Sequence, residues 1–110
     1  MAKDAAPLLQ GTLDLIVLQL LRADPTNGYD LSLRIQAISS DVLQVNAGSL
    51  YPALYRLEER ALIKAEWRET AKGRRAKVYS LTAAGRKQLT EQRESWARFS
   101  GALAAILRTT

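Results

Sequence analysis

Four cations, Lys72, Arg74, Arg75 and Lys77, fall within six residues with no acid among them. Ammonium and guanidinium groups at that density attract a polyanion, since each can pair with a different phosphate oxygen. A second source of binding chemistry is a helix end. Asn46-Ala47-Gly48-Ser49 stands at the head of an apolar pattern, so a helix opening there presents unpaired N–H groups among small side chains, which suits a phosphate. The same residues would equally cap an ordinary core helix. Catalysis has little to draw on. The chain has no histidine and no cysteine, which removes the commonest general base, the thiol nucleophile and the zinc–thiolate site. It also has no Gly-rich phosphate loop, no G-x-S-x-G elbow and no strand-borne carboxylate pair. The expectation is a protein that is not an enzyme and that uses neither cofactor nor metal.

The charge is unevenly distributed. Of a net +5, residues 1–60 carry −2, residues 61–81 carry +4 and residues 82–110 carry +3. A basic patch confined to the second half favours nucleic acid over a membrane surface, because no amphipathic basic helix accompanies it. The alternative for any such run is a solvated loop. At 110 residues with 47% hydrophobic content the chain is long enough for one self-sufficient core. The apolar run Leu13 to Leu21 is interrupted by Asp14 and Gln19 and followed by Asp24-Pro25. It is too short to span a bilayer and lacks a cleavage site, so it reads as a buried helix of a cytoplasmic protein with no membrane partner.

The elements that must position these groups follow in order. Thr12 is a candidate N-cap for the first helix, with Leu13, Ile16, Val17, Leu20 and Leu21 inward. Asp24-Pro25-Thr26-Asn27-Gly28 is a turn signal, its Asn-Gly pair tolerating positive φ. A second helix is expected from Tyr29 to Ile38, with Leu31, Ile35 and Ile38 inward. After a break at Ser39-Ser40-Asp41 comes a third, over Asn46 to Arg60. On a helical period Leu50, Ala53, Leu54, Leu57 and Ala61 fall on its inner side, and Ser49, Pro52, Tyr55, Arg56 and Glu59 fall outside. Pro52 cannot donate to the carbonyl four residues back. The helix therefore starts near Gly48 or Ser49, or starts at an Asn46 cap and tolerates one missing bond.

Beyond Leu62 the period becomes two. Ile63, Ala65 and Trp67 alternate with Lys64, Glu66 and Arg68, and Lys77, Tyr79 and Leu81 alternate with Ala76, Val78 and Ser80. Thr70 to Arg75 forms a glycine-containing turn between them, giving a hairpin with a charged tip. Thr82 caps a last helix reaching about Leu107. Leu89, Trp96, Phe99, Leu103 and Ile106 recur on it near coiled-coil spacing, with Gln92 filling the gap. That stripe outruns the small core before it; such a helix can pack back on its own domain or against a second copy of the chain, and the second is the expectation.

This order of elements resembles the PadR family of bacterial winged-helix transcription regulators. The resemblance runs from about Leu8 to Arg86. It rests on Gly48-Ser49-Leu50-Tyr51-Pro52-Ala53-Leu54, Arg56-Leu57-Glu58, Leu62-Ile63, and Tyr79-Ser80-Leu81-Thr82 followed by Gly85. It implies a mainly α fold with a small β-hairpin, with a winged helix-turn-helix over residues 1–81 and a dimerisation helix over 82–110. It further implies a homodimer whose third helix enters the major groove of double-stranded DNA, whose wing reaches the backbone, and whose repression a small effector releases. Two departures stand out. Family members usually carry His-Gly-Tyr-Glu where this chain has Asn27-Gly28-Tyr29-Asp30, and many have a larger C-terminal helical domain. Tyr29 stays a candidate phosphate contact.

The leading function is a sequence-specific transcriptional regulator, a repressor on a pseudopalindromic operator. A winged-helix protein-interaction module and an RNA-binding module are the alternatives. Candidate DNA contacts are Tyr29, Asn46, Gly48, Ser49, Tyr51, Tyr55, Arg56, Lys72, Arg74, Arg75 and Lys77, with Tyr55 and Arg56 nearest the base edges. Leu89, Trp96, Phe99, Leu103 and Ile106 are the candidate dimer contacts. Two facing copies of Trp96 could sandwich a flat aromatic effector.

Overall fold

A computed structural model describes residues 10–69 and 71–109. The expected start of the resemblance at Leu8 and Thr70 of the hairpin turn lie outside them. Helices α1 (Gln10–Ala23), α2 (Gly28–Ile38) and α3 (Ala47–Glu59) come first. The strands β2 (Ile63–Glu69) and β3 (Arg75–Leu81) follow, and α4 (Ala83–Leu107) closes the chain. A two-residue strand β1 (Thr26–Asn27) lies between α1 and α2 and pairs antiparallel with β3, giving the sheet order β1-β3-β2. The fold is mainly helical with a small antiparallel sheet, as the residue pattern predicts.

One core joins the helices to the base of the sheet. Leu13, Val17, Leu18 and Leu21 of α1 meet Leu50, Ala53, Leu54 and Leu57 of α3, with Leu31 of α2, Ile63, Tyr79 and Leu81 of the sheet, and Leu89 of α4. The inner stripe of α1 is rotated from the expected one. Leu18 is fully buried, while Ile16 and Leu20 are only partly covered. Thr12 is not the cap, because the helix is already formed at Gln10.

The Asn-Gly pair does not turn with positive φ. Asn27 is extended (φ −81°) and caps α2, its Oδ1 accepting from the Asp30 N–H at 2.8 Å. Gly28 lets the Tyr51 ring lie close over it, since a Cβ there would stand 2.7 Å from that ring and push it aside. Ile38, expected inward, is 68% exposed because α2 ends as it passes the edge of the core. Ala61 is also not on the inner face of α3. It takes the left-handed conformation (φ 59°) just past the helix, which turns the chain so that Leu62 is buried instead. The Leu62 N–H then returns to the Leu57 carbonyl at 3.0 Å, closing the helix end.

α4 is fastened to this turn. The Thr82 hydroxyl donates to the Ala61 carbonyl at 2.7 Å and accepts from the Gly85 N–H at 3.0 Å, while the Thr82 N–H donates to the Leu62 carbonyl at 3.1 Å. Gly85 lies against that same Leu62 carbonyl, where a side chain would not fit. The start of α4 is therefore hydrogen-bonded to the turn that follows α3.

Candidate nucleic-acid interface

α3 begins at an Asn46 cap, where the Asn46 Oδ1 accepts from the Ser49 N–H at 2.9 Å. Of the two possible starts, the structure adopts the capped one, with Pro52 held inside the helix. The N–H groups of Ala47 and Gly48 have no carbonyl a turn behind them and open at the start of the helix, beside exposed Ser49. Asn46, Gly48, Ser49, Tyr51, Pro52, Tyr55 and Glu59 are all exposed. Opposite them, Leu50, Ala53, Leu54 and Leu57 are buried, so helical period alone divides α3 into an anchored face and an offered one.

Arg56 lies at the edge of the offered face, its side chain 36% exposed. Its guanidinium Nη2 donates to Oδ1 of Asp14 at 3.3 Å, and Asp14 is buried in α1. The physical reason is the carboxylate, which cannot stay charged and buried without a partner and draws the nearest cation inward. The expected base-reading role of Arg56 therefore has to be weighed against this contact with Asp14. Tyr55 is 63% exposed and its hydroxyl donates to the Glu59 carboxylate at 3.0 Å. That hydrogen bond, together with the negative charge of Glu59, raises the phenol pKa above 10.0, so the ring stays neutral.

The hairpin changes role along its length. Ile63 pairs with Leu81, Ala65 with Tyr79 and Trp67 with Lys77, so these six residues share one face of the sheet. At the base that face is core. Farther out it emerges from the core, and Trp67 becomes 59% exposed with the Arg75 guanidinium 5.4 Å from its ring centroid. Gly73 at the tip has φ 77°, a conformation that glycine adopts without strain. Lys72 and Arg74 flank it and are exposed. Lys77 turns toward α3 rather than outward, its Nζ 3.5 Å from the Glu58 carboxylate and 5.7 Å from the Tyr79 ring.

Between hairpin and helices lies a cleft of about 610 Å³, walled by Gly28, Tyr29, Tyr51, Trp67, Arg75 and Lys77 among others. It brings together the N-terminus of α2, the exposed face of α3 and the cationic side of the hairpin. Such a cleft is positive, hydroxyl-bearing and lined with aromatic faces, a combination suited to a sugar–phosphate backbone. Sequence pattern does not single out Trp67 as a site residue, because alternation puts it in phase with the core residues Ile63 and Ala65. The length of the strand, longer than the core beneath it, is the signal that could have found it.

Of the expected dimer contacts, Leu89 is 2% exposed in the core of its own chain and offers nothing to a partner. It lies in the part of α4 that still covers α1 and the sheet. Farther along, Trp96, Phe99, Leu103 and Ile106 are exposed, and the Trp96 and Phe99 rings lie 5.7 Å apart. Among the described residues no helix is long and apolar enough to cross a membrane.

This geometry has counterparts among known proteins. A transcriptional regulator from Clostridium thermocellum superposes with a TM-score of 0.82 at 28% identity, covering 89% of this chain and 95% of that one. A PadR-like transcriptional regulator from Bacillus cereus gives 0.81 at 28% identity, over 93% and 97%. The transcriptional regulator Rv3488 of Mycobacterium tuberculosis is 43% identical over 60 residues, which are 54% of this chain and 55% of that protein. Residues 17–91 match the family described as "Transcriptional regulator PadR-like family", a span running from the core of α1 through the wing into α4. The chain belongs to the PadR-like family of transcriptional regulators, DNA-binding proteins and not enzymes.

Proposed function

We propose that this regulator is a sequence-specific repressor that acts as a homodimer on a pseudopalindromic operator. The observation that carries this is the outer half of α4. After Leu89 none of its residues is buried, yet Trp96, Phe99, Leu103 and Ile106 remain aligned and exposed. An apolar stripe of this kind is covered by a two-fold mate, and a two-fold protein meets a two-fold site. Residues 1–81 then form the DNA-binding domain, and the dimerising part of residues 82–110 starts beyond Leu89. Tyr29, Tyr51, Arg75 and the open N–H of Gly48 at the start of α3 hold the backbone, with Lys72 and Arg74 reaching from the tip. Bulk alone makes a bound dimer exclude polymerase from an overlapping promoter.

The same half of α4 supports an effector site. Trp96 is 49% exposed and borders an apolar groove of about 480 Å³ with Leu15, Ile16, Leu20 and Ile38. A flat aromatic molecule held against Trp96 would act where the two copies meet.

Selection of bound fragments from random duplex DNA, with light scattering on the complex, tests the reading. A symmetric site bound by two chains supports it. An asymmetric site bound by one chain, or equal affinity for single-stranded RNA, refutes it.

A further inference from the structure

Resting on the DNA-binding reading above, we infer that α3 reads its operator through thymine methyl groups, with Ser49, Pro52 and Tyr55 as the specificity-determining residues. These three positions recur at i, i+3 and i+6 on the exposed face of α3 and form one stripe beginning in its first turn. The N-terminal part of a recognition helix is the part that meets base edges.

The stripe has an unusual chemical content. Guanine is read by a two-pronged arginine or by lysine, and adenine by both ends of an asparagine or glutamine amide. Arg56 is held by Asp14. Arg60 stands at the C-cap, about 16 Å along the axis from Ser49 at 1.5 Å per residue. Asn46 is oriented as the cap by its Oδ1 bond to the Ser49 N–H, which turns the amide back toward the helix end and away from a two-pronged adenine pair. What α3 presents is one hydroxyl, a pyrrolidine ring and a phenol whose proton is already given to Glu59 at 3.0 Å.

These are mostly apolar surfaces. The feature of the major groove that matches them is the C5-methyl of thymine. Ser49 adds one adaptable hydrogen bond, since a hydroxyl both donates and accepts. Glu59 acts through its neighbour, because accepting from the Tyr55 hydroxyl fixes the ring along the helix, and it is therefore a positioning residue.

The test uses the selected half-site in synthetic duplexes. Each thymine is replaced in turn by uracil, which removes only the methyl, and each guanine by 7-deazaguanine, which removes the N7 acceptor. Two or more thymines per half-site should each lose roughly three- to fivefold in affinity as uracil, the worth of one buried methyl. One of these losses should vanish in Tyr55→Ala, and every 7-deazaguanine should bind within about twofold of guanine. Glu59→Gln should shrink the uracil effect at the Tyr55-dependent position and leave the salt dependence of binding unchanged. Uracil tolerated at every position would overturn the inference while leaving DNA binding intact. So would a tenfold or greater loss with 7-deazaguanine that disappears in Arg56→Ala or Arg60→Ala. Failure to select any duplex would overturn the DNA-binding reading and this inference together.

Discussion

Arg56 and Asp14, 42 residues apart, meet at 3.3 Å where α3 crosses α1. The guanidinium is partly exposed, the carboxylate nearly covered. Burial sets the direction of dependence, so that Asp14 relies on Arg56 more than Arg56 relies on Asp14. The arginine therefore adds one polar tie between α3 and α1 to the apolar packing of Leu50, Ala53, Leu54 and Leu57.

Arg56→Ala leaves that carboxylate buried and unpaired. The fold should lose about 1–3 kcal/mol, and thermal unfolding should shift down by roughly 4–8 °C per kcal/mol for a domain of this size. Preferred and scrambled duplexes should weaken alike. An unchanged melting temperature with loss confined to the preferred site would restore Arg56 as a base reader.

The wing should act without regard to sequence. Arg74→Ala with Arg75→Ala should weaken all duplexes equally. A wild-type slope of log affinity against log salt of about −5 or steeper should become shallower by about 0.9 for each phosphate that is no longer neutralised. Loss on the preferred site alone would mean that the wing reads bases.

Two small residues at the junction of α3 and α4 should respond in opposite ways. Ala61→Gly relieves a left-handed residue at φ 59° and should stabilise by about 0.5–1 kcal/mol. Gly85→Ala pushes a methyl against the Leu62 carbonyl and to 2.7 Å from Leu81 Cδ1, and should cost about 1–3 kcal/mol. Denaturant titration of the three proteins measures both.

Alkaline pH should act on Tyr79. Burial is the main cause holding its phenol above 10.0, with nearby Lys77 partly opposing. A folded-state pKa above the unfolded one means that the stabilisation is complete below about pH 10 and is lost as pH rises through the folded value. Melting temperature should fall more steeply above pH 10 in the wild type than in Tyr79→Phe. With no histidine in the chain, DNA affinity should stay level between about pH 6 and 9.

Leu103→Asp puts a charge into the outer stripe of α4. Light scattering should report half the mass, and tight operator binding should be lost, because the second half-site is no longer reached within one assembly. Circular dichroism should show the winged helix intact, since Leu103 touches none of its core. A variant that stays dimeric and binds normally would remove this stripe from the interface.

Helical and strand periods made the elements legible, and the burial of Leu50, Ala53, Leu54 and Leu57, the Thr82 cap and the hairpin register all follow from local pattern. Long-range choices left no such trace. Period placed Arg56 near the outer edge of α3, and only the approach of Asp14 from α1 draws it in. Asn27-Gly28 has the letters of a turn, yet Tyr51 needs the space over Gly28 and β3 offers Thr26 and Asn27 a strand to pair with. Leu89 matches the outer stripe in spacing, but where α4 leaves the core depends on how far α1 and the sheet extend beneath it.

Thr82 and Gly85 tie the start of α4 closely to the turn that follows α3. A 25-residue helix is about 37 Å long, so a small tilt at its tied end becomes a large displacement at its far end. A swing of about 5° at its far end corresponds to about 3 Å of travel, a substantial part of the few ångströms within which side chains meet base edges across a half-site spacing of about 34 Å. In the proposed dimer, this leverage would let a molecule held between the far ends of two such helices disturb operator fit with the winged helices themselves unchanged.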